Sequence, residues 1–199
     1  MHESSKAIFS RLKDARYATR YFVGDGIDIG AGPDALGQYG EFFPLMRSCR
    51  AWDLPDGDAE LLATVADATF DFVHSSHCLE HMRNVDVALN HWLRVLKPGG
   101  HLVCLVPDED LYEQGQFPST FNSDHKHTFT IHKKKSWSSR SINLTELLAN
   151  TQADIQVKKI ELLDATYRYK LPQQLGKRID QTTTPVGECA IEFVVKKLG

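Results

Sequence analysis

The sequence is poor in cysteine, in long apolar segments and in surplus positive charge. Its four cysteines (Cys49, Cys78, Cys104 and Cys189) are far apart and form no C-x-x-C pair. This spacing argues against a disulfide framework and against a cysteine-zinc site. Three of them lie in apolar surroundings, which is typical of core residues in a reducing compartment.

The composition argues against a membrane-spanning protein and against a nucleic-acid-binding protein. No apolar run approaches the roughly 20 residues of a membrane-spanning helix, so we expect no membrane span. The net charge is −3, whereas nucleic-acid binding needs a cationic surface. The first residues, Met1 to Lys6, are polar and lack the apolar segment of a secretory signal. We therefore expect a cytoplasmic protein whose partner is a small molecule, and the oligomeric state stays open.

The apolar content is sufficient for a buried core. Hydrophobic residues make up 42% of 199 residues, which is ordinary for one globular domain. We expect a single domain over residues 1–199, with a helical segment over 1–23 and a substrate-facing insertion over 107–140.

Helical and strand patterns alternate along the chain. We predict helices over 6–22, 35–46, 85–96 and 143–149, and strands over 26–30, 48–52, 69–74, 101–106, 155–163 and 189–197. The helix over 85–96 is the clearest, because its apolar residues share one face and Lys97-Pro98-Gly99-Gly100 follows it. The alternation predicts an α/β fold with a mostly parallel sheet, in which ligands bind beyond the carboxyl ends of the strands.

A glycine turn follows the first strand at one of these ends. In Gly26-Ile27-Asp28-Ile29-Gly30-Ala31-Gly32, the glycines let the backbone approach a ligand, and Asp28 can accept backbone N–H groups. Asp53 ends the next strand, where its carboxylate can accept both hydroxyls of a ribose. Such a site fits a nicotinamide dinucleotide as well as S-adenosylmethionine. The dinucleotide fingerprint, however, needs a third glycine, and Pro33 follows here instead.

The order of several motifs is more specific than the turn alone. After the turn and the acid come Phe70-Asp71-Phe72-Val73, Cys78-Leu79-Glu80-His81 and Arg94-Val95-Leu96-Lys97-Pro98-Gly99-Gly100. Over residues 24–107, this order resembles the class I S-adenosylmethionine-dependent methyltransferases, especially those acting on small molecules. The resemblance implies a Rossmann-like, doubly wound sheet of seven strands whose last strand is antiparallel, and S-adenosylmethionine as cofactor.

The same resemblance implies which residues contact the cofactor. The turn at Gly30 would line its methionine and ribose part, Asp53 would hold the ribose hydroxyls, and Ser75 and Ser76 would lie beside it. The predicted cofactor-binding residues are Asp28, Gly30, Ala31, Gly32, Asp53, Leu54, Asp58, Ala59, Ser75, Ser76 and His77.

One spacing departs from the family pattern. A helix usually separates the ribose acid from the Asp-Ala pair beside adenine, but here Asp53 and the Asp58-Ala59 pair are only five residues apart. Either that helix is missing or Asp58 is simply a loop residue.

The segment His77-Cys78-Leu79-Glu80-His81 also matches H-x-x-E-H, an inverted zinc-protease pattern. On a helix, His77 and His81 would share one face and could bind Zn²⁺. In the methyltransferase resemblance, the same histidine and glutamate are local structural groups. We therefore expect no metal, and a metal-dependent hydrolase is left as an alternative.

A second histidine cluster lies in the insertion. Asp124-His125-Lys126-His127 follows the strand whose carboxyl end should face the transferring methyl group. A neutral alcohol must lose its proton as it attacks, and a histidine suits that task. We predict His125 or His127 as general base, with Asp124 orienting the imidazole. Residues 106–127 also resemble methyltransferases of surface-glycan assembly, which implies a sugar hydroxyl as a plausible acceptor.

The sequence analysis thus predicts a methyltransferase acting on a small molecule, by O-methylation. A nicotinamide-dependent oxidoreductase and a non-catalytic S-adenosylmethionine-binding partner or regulatory protein remain as alternatives. We also expect the N-terminal segment, with Arg16 and Arg20, to close over the cofactor carboxylate.

Overall fold

A six-stranded sheet forms the centre of the computed structural model, which describes residues 3–199. The strands are β1 Gly24–Ile29, β2 Met46–Trp52, β3 Phe70–Ser76, β4 Leu96–Pro107, β5 Thr128–Thr130, β6 Ser141–Asn143, β7 Ile155–Leu163 and β8 Ala190–Lys197. The main sheet has the order β2-β1-β3-β4-β8-β7. Strands β1 to β4 are parallel, and β8 is antiparallel to both its neighbours. The predicted α/β class, with a mostly parallel sheet and an antiparallel last strand, is confirmed.

The helices are few and short. They are α1 Glu3–Arg11, α2 Val85–Val95, α3 Leu144–Ala149 and α4 Leu171–Leu175. Within residues 3–199, no helix has the length and apolarity that crossing a membrane would require.

The connection from β2 to β3 explains why the sheet has six strands where the resemblance implied seven. Between Asp53 and Phe70 the chain forms only a 3-10 turn, Leu54–Asp56, and otherwise turns and bends. Glu60 fixes this loop, because its buried carboxylate accepts the backbone N–H groups of Arg83 and Asn84. The helix expected between the ribose acid and Asp58 is therefore missing.

The clearest predicted helix is present with nearly the predicted bounds. Helix α2 begins after Asn84, whose side chain accepts the Val87 N–H at 3.1 Å. Its apolar face is fully buried against the sheet, with Trp92 at 0% exposure. The helix ends at Val95, ahead of Pro98, as the sequence predicts, and β4 then starts at Leu96, five residues earlier than expected.

The N-terminal segment is broken where a continuous helix over 6–22 was expected. Helix α1 ends at Arg11, and a π-helical turn, Tyr17–Tyr21, follows. The break coincides with Asp14, whose carboxylate accepts the backbone and side-chain N–H groups of Arg16. Residues 1 and 2 of the predicted 1–23 segment lie outside the described residues.

A buried carboxylate organises the insertion over 107–140. Glu109 is fully buried and accepts the hydroxyls of Thr128, Ser136 and Ser141 and the ammonium of Lys133. Thr128, Lys133 and Ser136 lie within the insertion, and Ser141 directly follows it. The segment is therefore a folded unit, and the Lys133 ammonium is already neutralised.

Candidate active site

Two adjoining cavities open at the carboxyl ends of β1 and β3, the edge at which ligands bind in such sheets. The first cavity, of about 210 Å³, lies against Gly30 to Gly32 and Ser76. The second, of about 670 Å³, lies against Asp53 and Asp58. Gly30, His77 and His81 belong to the walls of both. An elongated ligand could therefore occupy the two together.

The glycine turn has a backbone shape that only glycine adopts easily. Gly30 has φ +74°, and a Cβ there would lie 2.5 Å from the Cys78 sulfur. Gly32 has φ +53°, and a Cβ there would meet no atom within 4 Å. Gly30 thus lets the chain pass close to Cys78, while Gly32 leaves space open beside the first cavity.

A buried polar chain supports the turn from below. Asp28 accepts the Leu36 N–H at 2.7 Å, and its other oxygen lies 2.6 Å from Nδ1 of His74. Nε2 of His74 lies 3.1 Å from the Arg11 guanidinium, which can only donate. His74 therefore accepts from Arg11 and donates Nδ1–H to Asp28. Arg11 in turn pairs with Glu192 at 3.0 Å, so the turn rests on a fixed network.

The second cavity contains the residues predicted for the adenosine half. Asp53, Leu54, Asp58 and Ala59 all line it. Asp53 caps the following 3-10 turn by accepting the Leu54 N–H at 2.8 Å. Asp58 is held differently, because its carboxylate accepts from Arg83 at 2.6 Å and from the Glu60 N–H at 2.8 Å.

A cluster of imidazoles surrounds a buried carboxylate in the wall of the first cavity. Oε1 of Glu80 lies 3.5 Å from Nδ1 of His77, 3.9 Å from Nε2 of His81 and 3.8 Å from Nε2 of His125. Glu80 is fully buried, and neither of its side-chain oxygens has a hydrogen-bond partner among the described residues. Burial alone would raise the pKa of Glu80, but the three imidazoles outweigh it and lower that pKa.

Two of these imidazoles are oriented by further carboxylates. Nδ1 of His81 lies 2.8 Å from Oδ2 of Asp124, and Nδ1 of His125 lies 2.8 Å from Oε1 of Glu113. A carboxylate can only accept, so each imidazole donates its Nδ1–H. In the neutral form of either ring, Nε2 carries the lone pair and lies on the side of Glu80.

The structure separates the three predicted catalytic residues. His125 lines the first cavity, with its side chain 2% exposed. Asp124 lines the second cavity and orients an imidazole, but that of His81 instead of His125. His127 contributes to neither cavity wall, and its Nε2 is buried without a hydrogen-bond partner among the described residues.

The two predicted serines are also separated. Ser76 lines the first cavity, and its buried hydroxyl has no partner among the described residues. Ser75 faces the strand beside it, because its hydroxyl donates to the Ile29 carbonyl at 2.9 Å. It belongs to neither cavity wall.

The expectation that Arg16 and Arg20 close over the cofactor is wrong. Both line a different cavity, at the amino ends of the strands, together with Gly24. The break after Arg11 redirects the chain to that edge. The first turn of α1, with Glu3 and Ser4, lines the first cavity instead.

Sequence reasoning missed the residues that complete the cluster. Glu80 and His81 were assigned a local structural role, and Glu113 was not singled out. The H-x-x-E-H motif was the available signal for His77, Glu80 and His81. The third imidazole of the cluster comes from His125, 44 positions beyond His81 in the sequence. Only the folded insertion brings Glu113 and His125 to this wall.

Comparisons with known proteins agree with this geometry. Residues 17–145 match a family model described as a methyltransferase domain. No curated protein matches the chain significantly. The match accords with the S-adenosylmethionine cofactor that the sequence predicts.

Several solved structures share the fold. The YcgJ protein of Bacillus subtilis is 14% identical, with both chains covered fully and a TM-score of 0.53. A SAM-dependent methyltransferase of Archaeoglobus fulgidus is 14% identical, with 97% of this chain and 94% of that chain covered and a TM-score of 0.57. Phosphoethanolamine N-methyltransferase 2 of Haemonchus contortus, in complex with S-adenosyl-L-methionine, is 17% identical. It is covered over 56% of its length, against 98% of this chain, with a TM-score of 0.57. Identities this low show a common fold and nothing finer.

Proposed function

We propose that this chain, which belongs to the methyltransferase-domain family, transfers the methyl group of S-adenosylmethionine to a hydroxyl oxygen of a small molecule. The family model covers 129 of 199 residues, counted from 17 to 145, and includes the glycine turn and the histidine cluster. The observation that carries the finer proposal is the group of oriented imidazoles around Glu80 in the first cavity.

The cavities fit the cofactor in charge and in shape. Four carboxylates line the first cavity (Glu3, Asp28, Asp34 and Glu80), and no lysine or arginine of the described residues does. S-adenosylmethionine has a positive sulfonium and a positive ammonium group, which such walls attract. The glycine turn leaves room for a close approach, and Asp53 lies in the second cavity, where a ribose diol could bind.

The acceptor would bind at the imidazole end of the first cavity. An alcohol attacks the methyl carbon in line with the carbon–sulfur bond and must give up its proton. His125 lines this cavity, and in the neutral form of its ring Nε2 can accept a proton, because the ring hydrogen is on Nδ1 and is donated to Glu113. A base held by a carboxylate on its far nitrogen is positioned to take that proton. Much of the remaining rate would come from holding the two reactants together.

The insertion over 107–140 supplies the acceptor side in this proposal. Asn122 and His125 line the first cavity, and Lys126 lines the second. Amide, imidazole and ammonium groups form hydrogen bonds with hydroxyl-rich molecules. Together with the resemblance to glycan methyltransferases, this favours a sugar hydroxyl as acceptor.

Isothermal titration with S-adenosylmethionine tests the cofactor part. We expect saturable binding with one site per chain. A folded sample that binds neither S-adenosylmethionine nor its demethylated product would contradict the proposal. Saturable binding without methyl transfer to any of a wide panel of sugars and alcohols would favour a non-catalytic binding protein instead.

The variant His125→Ala tests the acceptor part. Loss of a positioned base should lower kcat about 10²–10⁴-fold while the affinity for S-adenosylmethionine stays near wild type. His132→Ala is the matched control, because His132 is exposed and its side chain, among residues 3–199, forms a hydrogen bond to Thr145 alone. Equal turnover of His125→Ala and wild type would remove His125 from the proposal.

A further inference from the structure

We propose that Glu80, His81 and His125 bind one divalent transition-metal ion, of the series from Mn²⁺ to Zn²⁺, at the wall of the first cavity. The binding itself is independent of the proposed function, whereas the role given to the ion below rests on it. The proposal departs from the expectation, drawn from the sequence, that the protein holds no metal.

The first argument is the convergence of ligand atoms. Each of the three residues offers one atom, and these atoms all lie within 4.8 Å of one another. Oε1 of Glu80 is 3.9 Å from Nε2 of His81 and 3.8 Å from Nε2 of His125. Ligands that share a tetrahedral ion at bond lengths of roughly 2.0–2.2 Å lie about 3.4 Å apart. Small side-chain adjustments therefore suffice to close the site.

The second argument is the outer layer of carboxylates. Metal-bound histidines usually donate their other ring N–H to a carboxylate or carbonyl, which fixes the tautomer and the ring. His81 does so to Asp124 and His125 to Glu113, both at 2.8 Å. In their neutral forms, which metal binding requires, both rings therefore direct the Nε2 lone pair to the same point, beside Glu80.

The third argument is the polar atoms left without partners. Both side-chain oxygens of Glu80 are buried and have no hydrogen bond among the described residues. An unsatisfied buried carboxylate is costly, and such groups normally are paired or bind a metal. An ion at this point would satisfy Glu80 and both imidazoles at once.

The ligand set also indicates the class of ion. Two imidazoles and one carboxylate suit first-row transition metals better than Mg²⁺ or Ca²⁺, which prefer oxygen ligands alone. Three protein ligands leave at least one position open, as in catalytic metal sites. Since His81 and His125 line the first cavity, that open position would face the ligand space.

In the proposed methyl transfer, the ion would activate the acceptor oxygen in place of a free imidazole. The acceptor hydroxyl would bind the ion, which would lower the pKa of that hydroxyl, and its proton would pass to solvent on the exposed side of Asp124. The oxygen then attacks the methyl carbon. A carbon–oxygen bond forms, the carbon–sulfur bond breaks with its electron pair left on sulfur, and a neutral thioether is released. His125 would then act through the ion as a ligand.

Metal content is the direct test. Protein purified without a histidine tag is stripped with a chelator, and binding of Mn²⁺, Fe²⁺, Co²⁺ and Zn²⁺ is then measured by titration calorimetry and by elemental analysis after gel filtration. We expect about one ion per chain for at least one of these metals. Wild-type protein that is folded and binds none of them would overturn the proposal and leave an ion-paired cluster without metal.

Matched variants locate the ion. His81→Ala, His125→Ala and Glu80→Gln should each lower metal affinity more than 100-fold, while His132→Ala should match wild type. Glu113→Gln removes only an outer partner and should lower affinity about 10–100-fold. Circular dichroism establishes that each variant is folded. The His81→Ala variant is the least at risk of unfolding, because the His81 side chain is partly exposed. Undiminished binding in folded His81→Ala would place the ion elsewhere and overturn the assignment.

The role of the ion is tested separately. If the stripped protein binds S-adenosylmethionine but transfers methyl groups only after metal is restored, the proposed methyl transfer and the role of the ion hold, and His125 acts as a ligand of the ion and not as the free base. Full turnover by stripped protein would refute the role of the ion and leave the methyltransferase intact. Metal binding without S-adenosylmethionine binding would retain the site and refute the proposed function.

Discussion

The two edges of the sheet differ in the sign of their charges and in how those charges are held. At the carboxyl edge, the walls of the first cavity hold four carboxylates, of which Glu80 is fully buried. At the amino edge, a cavity of about 860 Å³ is lined by cations: Arg16, Arg20, Arg47, Lys97, Lys158 and Lys196. Burial and the nearby Lys196, Lys158 and Arg20 lower the pKa of His101 there to about 4. A positively charged group is thus attracted to the carboxyl edge and repelled by the amino edge.

The pKa values of two aspartates differ because their environments at the two edges differ. Asp108 follows β4 at the carboxyl edge, and burial raises its pKa to about 6. Asp71 lies at the amino end of β3, where burial acts in the same direction. There the N–H of Asp25 and the cations Lys97 and Arg47 outweigh it and lower the pKa. Burial thus decides the pKa of Asp108 at the carboxyl edge, whereas hydrogen bonds and neighbouring cations decide the pKa of Asp71 at the amino edge.

The largest expected effect comes from breaking a buried ion pair near the carboxyl edge. The variant Arg11→Met removes one of the two cations paired with Glu192, whose side chain is 3% exposed, and leaves His74 without its donor. We expect a loss of about 3–5 kcal/mol in the free energy of unfolding, because a buried charge loses part of its compensation. Urea denaturation measures it. A loss below about 1 kcal/mol would mean that Lys159 and Tyr17 hold Glu192 by themselves.

The next effect is the contribution of the Asp108 carboxyl to the pH dependence of stability, which the variant Asp108→Asn should remove. A carboxyl whose pKa in the folded state, about 6, exceeds its value of 3.8 in the unfolded chain contributes stability below pH 3.8 and loses it as the pH rises through 6. Relative to wild type, the variant should gain up to about 3 kcal/mol between pH 4 and pH 7. Asp71→Asn is the control of opposite sign, since it should lose stability relative to wild type as the pH rises from acid. A stability difference between Asp108→Asn and wild type that does not change with pH would refute the raised pKa.

A pair of glycine variants tests the turn at the carboxyl edge. Both Gly30→Ala and Gly32→Ala place alanine at positive φ, at a cost of about 1–2 kcal/mol each. Only Gly30→Ala also meets the Cys78 sulfur, at 2.5 Å, which should add about 1–3 kcal/mol. Thermal and urea unfolding measure the difference, and titration with S-adenosylmethionine shows whether the first cavity keeps its shape. Equal destabilisation would mean that Cys78 moves away freely.

The smallest effect is expected from an exposed ion pair at the amino edge. The Arg47 side chain is 68% exposed and contacts Asp25 and Asp71. Arg47→Ala should change the free energy of unfolding by about 0–1 kcal/mol, because solvent screens such pairs. It should also leave the affinity for S-adenosylmethionine unchanged. A loss of stability close to that of Arg11→Met would contradict the expectation that ion pairs at the amino edge contribute less to stability than those at the carboxyl edge.

Elements with strong local signals were predictable. Helix α2 has one apolar face, the cap at Asn84 and the breaker Pro98, so neighbouring residues suffice to define it. The turn at Gly30 follows from glycine and a short apolar strand. By contrast, the burial of the Arg11 side chain against Glu192, 181 positions away, is a contact that no local pattern predicts.

The candidate site likewise contains residues that were predictable from local sequence and residues whose positions depend on long-range packing. Most residues predicted for the cofactor half, including Gly30 and Asp53, line the two cavities, although Ser75 lines neither; their contact with the cofactor stays a prediction. Asp124 was expected to orient His125 or His127, but it lies against His81, and Glu113 takes the place beside His125. Ser75 and Ser76 alternate across a strand, so only the packing of β3 decides which hydroxyl reaches the cavity.

By itself, the sequence determined the α/β class, the glycine turn and the family, because these depend on short-range patterns of apolar, glycine and acidic residues. Only the tertiary structure decided that Glu80, His81 and His125 meet, and that Asp124 and Glu113 orient the two imidazoles. These contacts join residues 12 to 45 positions apart in the sequence. Side chains so separated are brought together by packing of the insertion against the sheet, a long-range effect that local sequence does not encode.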